Sequence, residues 1–353
     1  MSWKIKERNL IENGNKYNMS LKYLKFLEIE LQSKCNRKCS WCPNVEVDRF
    51  SHSIEMSEEA YMNILEGIRS VDLFDETKLR ISYSRYNEPF YKPDLLKKRV
   101  KQAKDMFPLA ELCCNTNGDY LRKRGGSDLD DLMLDTLNIM DYDNRGIEHG
   151  KELFKKCGIK LNNSPHRMKQ VDETKPITKS NRSLLGHRNN ITLINYHIDW
   201  TRTSVGLEDR GGYFTNPNGT YKEVINNYGK NKGEKLKFRN YERGKGSTGK
   251  IPSLNKMVRR RKCLYPTYGI WVDYDGGVFG CCQMRGDLDI HKDYVLGNVY
   301  DTPIKDIFNS KKAKEFRKLL RSDKWDEYPT PCKRCGIFTE QPELDELYNK
   351  GHY

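Results

Sequence analysis

Three cysteines near the start of the chain have the spacing of a metal-binding loop. Cys35, Cys39 and Cys42 form the pattern C-x3-C-x2-C, and Trp41 directly precedes the last cysteine. Thiolates this close together can hold one face of an iron–sulfur cluster, but a closed [4Fe–4S] site takes four cysteines. The missing fourth thiolate predicts one iron that is open to a ligand from outside the protein, as in a catalytic metal site. A structural zinc ion with its fourth ligand elsewhere is the alternative.

A second set of cysteines lies near the other end of the chain. Its last two members form C-x2-C, which is a chelating turn in its own right. The four candidate ligands are Cys263, Cys281, Cys332 and Cys335. Cys282 is an alternative to Cys281, because neighbouring residues on a strand point to opposite faces and the spacing does not choose between them. Four thiolates suit either a zinc ion or a second [4Fe–4S] cluster.

The elements that position the first cysteines alternate between strand and helix. The hydrophobic pattern predicts strands over 24–31, 78–84, 111–116, 137–142 and 191–198. It predicts helices over 57–69, 94–106, 129–134 and 146–157. Alternating units of this kind build a parallel sheet, so we expect an α/β fold with a partial (β/α)6 barrel of the TIM type. Active sites of such barrels form at the carboxyl ends of the strands, where the first cysteine loop lies.

The chain divides by composition into three regions. We predict the barrel over 1–205, a basic linker or substrate loop rich in Gly, Asn and Lys over 206–258, and a small α+β cysteine module with a tail over 259–353. Within the module we expect a hairpin that turns at Asp275-Gly276 and a helix over 304–320. The polar stretch 162–189 is interpreted as either a further strand or an inserted loop.

Composition and charge restrict the functional classes. The 353 residues carry a net charge of +14, and neither a signal peptide nor an apolar run of membrane-spanning length is present, so a cytoplasmic protein without membrane contact is expected. Eleven cysteines in that compartment favour metal binding over disulfides. Residues 222–262 hold fourteen Lys or Arg against three Glu, a net +11. This stretch is either a solvated loop or a contact for an anionic partner, and nucleic acid is disfavoured because aromatic residues are not interleaved.

The first cysteine motif resembles that of the radical S-adenosylmethionine (SAM) superfamily, in which an aromatic residue precedes the last cysteine. The resemblance implies that the three cysteines hold a [4Fe–4S] cluster and that the amino and carboxylate groups of SAM bind its fourth iron. Tyr86-Asn87-Glu88-Pro89 is similar to the family's Gly-Gly-Glu-Pro segment, which binds the SAM amino group, and this implies SAM contacts for Asn87 and Glu88.

Two further segments are expected at the SAM site. Asn115-Thr116-Asn117-Gly118 resembles the family's Thr-Asn-Gly turn, which implies SAM contacts for Asn115 and Asn117, and a plain turn at Gly118 is the alternative. The segment 209–212 follows the last predicted strand and is expected to border the same site.

The second cysteine set is similar to the SPASM/twitch module of radical SAM enzymes. This resemblance implies an auxiliary [4Fe–4S] cluster on Cys263, Cys281, Cys332 and Cys335. The module contains five cysteines, whereas the full SPASM form with two clusters needs about seven, so one cluster is expected, as in the twitch form. A cluster with four protein ligands has no open iron and is suited to electron transfer or folding.

The resemblance implies reductive cleavage of SAM to methionine and a 5′-deoxyadenosyl radical that abstracts hydrogen, with flavodoxin or ferredoxin as the reducing partner. An auxiliary cluster suits a net oxidation, and on family base rates we expect a peptide or protein substrate. One alternative is a twitch-type dehydrogenase of a small sugar, aminocyclitol or nucleoside. A second is a non-catalytic, metal-bearing nucleic-acid binder. The sequence identifies no catalytic acid or base, and His197 is interpreted as a core residue.

Overall fold

The computed structural model describes residues 21–71, 73, 75–162, 183–198, 210–216, 221–227, 229, 232–236, 262–333 and 335. The strands among them are β1 (Phe26–Ile29), β2 (Arg80–Ser82), β3 (Glu111–Thr116), β4 (Thr136–Asp141), β5 (Lys160–Leu161), β6 (Ser183–Arg188), β7 (Ile191–Ile198), β8 (Gly269–Val272), β9 (Gly277–Phe279) and β10 (Gly297–Asn298). The α-helices are α1 (Glu58–Arg69), α2 (Pro93–Met106), α3 (Asp119–Arg124), α4 (Ile147–Lys156), α5 (Tyr265–Tyr268), α6 (Ile304–Asn309), α7 (Lys311–Leu320) and α8 (Thr330–Lys333).

All ten strands belong to one sheet, in the order β10-β9-β8-β1-β2-β3-β4-β7-β6-β5. Six neighbouring strands, from β8 through β1 to β7, are mutually parallel. The strands outside this group pair antiparallel and form its two margins. The predicted α/β fold is therefore confirmed, and the sixth parallel strand comes from the cysteine module, because β8 pairs with β1.

Alternate residues of the parallel strands pack under the helices. Leu27, Leu112 and Leu137 are fully buried in the main hydrophobic core. Helix α1 begins at the N-cap Ser57, whose side chain accepts a hydrogen bond from the backbone N–H of Ala60, as the sequence predicts. The helices cover one face of the sheet, so the other set of alternating side chains points to the inside of the partial barrel.

Two predicted helices are wrong. Over 129–134 the structure contains only the end of a 3-10 helix, Gly126–Leu129, because Asp130 is extended and Asp131 has a φ of +59°. The helix expected over 304–320 is divided into α6 and α7 at Ser310. Ser310 is extended, with ψ 156°, and its hydroxyl caps α7 by accepting a hydrogen bond from Ala313 N–H.

Two other predicted segments lie partly outside the described residues. The stretch 162–189 does contain a strand, β6, while 163–182 lie outside the described residues. Most of the basic stretch over 222–262, including 237–261, also lies outside them. In the described part of the chain, no helix is long and apolar enough to cross a bilayer.

The hairpin of β8 and β9 yields a test of the fold. Gly276 has a φ of +83°, and a Cβ there would lie 2.5 Å from the Asn298 side chain. We expect Gly276→Ala to lower the free energy of unfolding by about 1–2 kcal/mol, since a left-handed conformation costs an L-residue that much. The measurement is chemical denaturation followed by circular dichroism.

Gly286→Ala is the matched control for that substitution, because a Cβ at Gly286 would make only ordinary contacts, 3.5 Å at the nearest. Equal unfolding free energies for the two variants would contradict the proposed strain at Gly276.

Candidate active site and second cysteine cluster

The inner face of the parallel sheet is polar. Asn115, Asn138 and Asn195 lie directly opposite one another on β3, β4 and β7. The Asn195 amide donates a hydrogen bond to Asn138 Oδ1 at 2.9 Å, and the Asn138 amide donates one to Asn115 Oδ1 at 2.8 Å. The three side chains form an amide ladder across the carboxyl half of the sheet.

The same layer continues across the other three parallel strands. Glu28 on β1 lies opposite Ser82 on β2 and Trp271 on β8. Two positions further along these three chain segments, the residues are again polar: Glu30, Ser84 and Asp273. The interior of a packed barrel is dominated by branched aliphatic residues. Here Asn115 is exposed although β3 is a central strand, so this face lines an open, polar space.

A cavity of about 140 Å³ lies above this layer, at the carboxyl ends of the strands. It brings together all seven residues that the sequence predicts for the first cluster and for SAM: Cys35, Cys39, Cys42, Asn87, Glu88, Asn115 and Asn117. Arg210, from the segment expected to border the site, also lines it, while 199–209 lie outside the described residues.

The cysteine loop follows β1 and is held by its own backbone. The Cys35 N–H donates to the Arg49 carbonyl at 3.0 Å, and the Cys42 N–H donates to the Cys39 carbonyl at 2.8 Å. Burial raises the pKa of the Cys35 thiol well above its ordinary range, with the nearby Glu88 carboxyl as a further cause. A metal ion offsets this cost when it binds the thiolate.

Glu88 is a buried carboxylate at the edge of the cavity. Its oxygens accept hydrogen bonds from the Thr116 hydroxyl at 2.6 Å and from the Asn117 N–H at 2.9 Å. Burial raises the pKa of Glu88 to about 7, although these hydrogen bonds oppose the shift. The neighbouring Asn87 amide nitrogen is buried and has no hydrogen-bond partner among the described residues. Such an orphaned donor beside a cavity is available to a ligand or a water molecule.

Arg37 fixes the cysteine loop to two other strand ends, and the sequence analysis missed it. Its guanidinium donates to both carboxylate oxygens of Asp119 at 2.6 Å and to Asp143 at 2.9 Å. Burial alone would raise the pKa of Asp119, but the hydrogen bonds and charge of Arg37 lower it to about 2. Asp119 and Asp143 follow β3 and β4. They lie 82 and 106 residues from Arg37 in the sequence, so no local sequence pattern predicts these ion pairs.

A buried ionic network joins the core to the cysteine module. Arg49, which is 1% exposed, donates to Glu30 at 2.6 Å and to Asp287 at 2.9 Å. Arg285 also pairs with Asp287, and its guanidinium lies 4.2 Å from the centre of the Tyr86 ring. Because Tyr86 lines the cavity, the network supports one wall of it.

His291 extends this network to Gly211. Its Nδ1 accepts a hydrogen bond from the Arg285 backbone N–H at 3.2 Å, so its Nε2 carries the proton and donates to the Gly211 carbonyl at 2.8 Å. Burial lowers the pKa of His291. The neutral imidazole thereby positions Arg210 at the cavity.

The second cysteine set also comes together. Cys281 and Cys332 lie in one buried cluster with Cys263 and Cys282 packed against it, and the Cys335 N–H donates to the Cys332 carbonyl. The hydrogen bond with Cys282 and burial raise the pKa of the Cys281 thiol, and the Cys332 and Cys335 thiols add to the shift.

The donor chemistry of both sets is that of iron–sulfur clusters. Each set offers only thiolates, which are the soft ligands that such clusters take. Among the described residues, no group of three or more His, Cys, Asp or Glu side chains converges on a point where a single ion would sit.

Comparisons with known proteins agree with this chemistry. The SPASM iron–sulfur cluster-binding domain matches residues 263–336, a span that contains the whole second cysteine set. The chain is 22% identical over 322 residues to the S-adenosyl-L-methionine-dependent 2-deoxy-scyllo-inosamine dehydrogenase of Niallia circulans, covering 91% of this chain and 96% of that protein.

Two solved structures are also similar to the chain. BtrN in complex with AdoMet and 2-DOIA has a TM-score of 0.55 and 19% identity, over 90% of this chain and 95% of that one. Native anSMEcpe with bound AdoMet and Cp18Cys peptide has a TM-score of 0.43 and 16% identity, over 84% of this chain and 83% of that one.

The chain has the fold, the two cysteine sets and the cluster-binding domain that are expected of a radical SAM enzyme with a C-terminal SPASM/twitch-type module. SAM and iron–sulfur clusters are the cofactors of this class, and its partial barrel is the fold predicted from the sequence.

The ion pairs of Arg37 are open to a direct test. Arg37→Ala leaves two neighbouring carboxylates without their cation, and breaking a buried pair on one side costs about 3–5 kcal/mol. Asp119 keeps part of its surface in water, so we expect a loss of about 2–4 kcal/mol in the free energy of unfolding. Less iron should also be retained per chain after reconstitution.

Lys38→Ala is the control for Arg37→Ala, because Lys38 is the next residue and is exposed. If both variants unfold and load iron as the parent protein does, Arg37 does not orient the loop.

Proposed function

We propose that the protein is a SAM-dependent dehydrogenase that oxidises a secondary alcohol of a small, polyhydroxylated molecule such as an aminocyclitol. The observation that carries this proposal is the polar layer across all six parallel strands, directly below the cysteine loop. Amides and carboxylates at such a surface match the hydroxyl groups of a sugar-like ring. The relative from Niallia circulans is named for a substrate of this kind and supports the proposal.

Family base rates alone favour a peptide or protein substrate. The similarity to an aminocyclitol dehydrogenase favours the small-molecule alternative. A peptide substrate stays an outcome of the test below.

The cavity residues fit the two groups that the reaction needs. Cys35, Cys39 and Cys42 would hold the first cluster, and the orphaned Asn87 amide and the buried Glu88 carboxylate would meet SAM. A cationic amino group suits Glu88, since a positive charge stabilises a buried carboxylate. Asn115 and Asn117 complete the proposed SAM contacts. When bound, the cluster and SAM supply a one-electron reductant and the 5′-deoxyadenosyl radical that takes a hydrogen atom.

The module would hold the auxiliary cluster on Cys263, Cys281, Cys332 and Cys335. We favour Cys281 over Cys282 as the ligand, because the Cys332 and Cys335 thiols are close enough to Cys281 to raise its pKa. Four thiolates close the site, which suits it to accept an electron from the substrate. The net charge of +14 would favour an acidic reducing partner such as flavodoxin or ferredoxin.

The chain's own residues orient the substrate and exclude water. The amide ladder presents fixed donors and acceptors to ring hydroxyls, so little ordering remains to be done on binding. Arg37 holds the cysteine loop over the strand ends, and the ionic network around Arg49 seals the side toward the module.

The central test is SAM cleavage by the reconstituted protein. We expect two clusters per chain after anaerobic loading with iron and sulfide. With dithionite, SAM and 2-deoxy-scyllo-inosamine we expect 5′-deoxyadenosine and a ketone product by mass spectrometry. Replacing the three cysteines of the first set by alanine should abolish cleavage, while Cys113→Ala, which changes a buried cysteine outside both sets, should retain it.

The outcomes of that assay separate the hypotheses. Deoxyadenosine formation that responds to peptides but not to aminocyclitols would restore the maturase hypothesis. A reducible, cluster-loaded protein that leaves SAM intact would overturn the whole proposal.

The proposed contact of Glu88 with SAM is tested by measuring SAM binding rather than turnover. Glu88→Gln removes the negative charge and keeps the shape, and hydrogen bonds to charged groups contribute about 1.5–3 kcal/mol. We therefore expect a SAM dissociation constant at least about tenfold higher, by calorimetry on the oxidised protein. Glu59→Gln, at an exposed position on α1, is the control and should bind as the parent does. Unchanged affinity in both variants would remove Glu88 from the SAM site.

A further inference from the structure

Glu28 is an acidic side chain inside the barrel that the cofactor sites do not use. It lies on the inner face of β1, opposite Ser82 on one side and Trp271 on the other. Its side chain is half-buried on this polar inner face. It lies one layer below Glu30 and the amide ladder.

The charges around Glu28 are already paired with other groups. Arg85 is 2.8 Å from Asp273, Arg80 is 3.6 Å from Glu111, and the other neighbouring carboxylate, Glu30, is held by the buried Arg49. Glu28 makes no ion pair within 4 Å among the described residues, and its hydrogen-bond partner is the Trp271 side chain. Its carboxylate therefore keeps accepting capacity toward the open space.

Arg85 offers the complementary group. It lines the cavity beside the cysteines and is 1% exposed, yet its Nε and Nη1 have no hydrogen-bond partner among the described residues. It is also the neighbour whose charge most lowers the pKa of Glu28. Free donors on Arg85 and a free acceptor on Glu28 match one chemical group that does both, a hydroxyl.

We infer that Glu28 and Arg85 bind the hydroxyl that is oxidised, with Arg85 donating to its oxygen and Glu28 taking its proton. The inference rests on the proposed function. Conversion of a secondary alcohol to a ketone breaks the C–H and O–H bonds of the carbinol and releases one hydrogen atom, one electron and one proton. Bound SAM would supply the radical that takes the hydrogen atom, a cluster on the second cysteine set would accept the electron, and the Glu28 carboxylate takes the proton.

The position of Trp271 supports this assignment. Trp271 contacts Glu28 and belongs to the same buried cluster as Cys281 and Cys332. Proton and electron would thus leave the substrate on the same side, toward the module. Burial raises the pKa of Glu28 to about 7, with the Arg85 charge opposing, and a base with such a pKa is suited to work near neutral pH.

The test uses the cluster-loaded full chain, SAM, dithionite and 2-deoxy-scyllo-inosamine deuterated at the oxidised carbon. Glu28→Gln keeps the shape and an acceptor for Trp271 but cannot take the proton. We expect deuterium to reach 5′-deoxyadenosine, while ketone formed per deoxyadenosine falls at least about tenfold. In the parent protein this ratio should rise with pH through about 7, as the carboxyl loses its proton, and in Glu28→Gln it should be flat.

Glu28→Asp keeps the carboxylate and should restore part of the ketone yield. Glu59→Gln removes a charge from an exposed position on α1 and should behave as the parent does. The affinity of the oxidised protein for the undeuterated probe is measured in parallel by calorimetry, and Glu28→Gln should keep it within a few-fold. A Glu28→Gln protein that also loses its clusters or its circular-dichroism spectrum would make Glu28 a structural residue and overturn the assignment.

Failure of the inference and of the proposed function are distinguishable. If the parent protein forms no deoxyadenosine in response to the probe, the proposed function fails. If the parent oxidises the probe and Glu28→Gln does so with the same yield and pH dependence, only the role of Glu28 fails.

Discussion

The ionic contact of Arg49 with Glu30 and Asp287 is the interaction on which the rest of the site depends. All three side chains are largely withdrawn from water, at 1%, 0% and 12% exposure. Removing one partner of such a group leaves an uncompensated buried charge, at a cost of about 3–5 kcal/mol. The backbone of Arg49 also accepts the Cys35 N–H, so the same residue holds the cysteine loop. Core, cysteine loop and module are thereby fixed by one residue.

This contact also explains why the barrel interior tolerates so many polar groups. Glu30 accepts from Arg49 and from the Tyr86 N–H, and Asp273 pairs with Arg85 and accepts from the Gly286 N–H. These two buried acids are thus each compensated by a guanidinium and a backbone donor, as a buried charge requires. A space lined in this way stays hydrated when empty and favours a ligand rich in hydroxyls.

Much of the fold was predictable from local pattern. Five strands, the Ser57 cap and the turn at Asp275-Gly276 follow from hydrophobic alternation and turn chemistry, which act within a few residues. The helix expected over 129–134 failed because the backbone turns at Asp131, for which the apolar spacing carries no signal. The break at Ser310 was missed although serine is a good N-cap, because the apolar spacing continues across it.

The site divides in the same way between local and distant information. Cysteine spacing and the Asn-Glu-Pro segment are local, and the structure brings those residues to one cavity. Arg37 and Arg49 have partners 82 and 238 residues away, so only the folded chain reveals them. In the sequence, nothing distinguishes Glu28 from other strand residues, and only the parallel register shows that it lies opposite Trp271.

The pairing of β1 with β8 has a consequence for how the two halves of the chain work together. β1 leads into the first cysteine loop and carries Glu28, while β8 carries Trp271 and leads through the hairpin to Cys281. Because the strands are hydrogen-bonded neighbours, the module cannot shift relative to the loop without breaking a parallel ladder. The two cysteine sets are therefore held at a fixed separation by neighbouring strands of one sheet. A fixed separation of that kind is what sequential removal of a hydrogen atom and an electron from one carbon requires, since both acceptors must reach the same bound molecule.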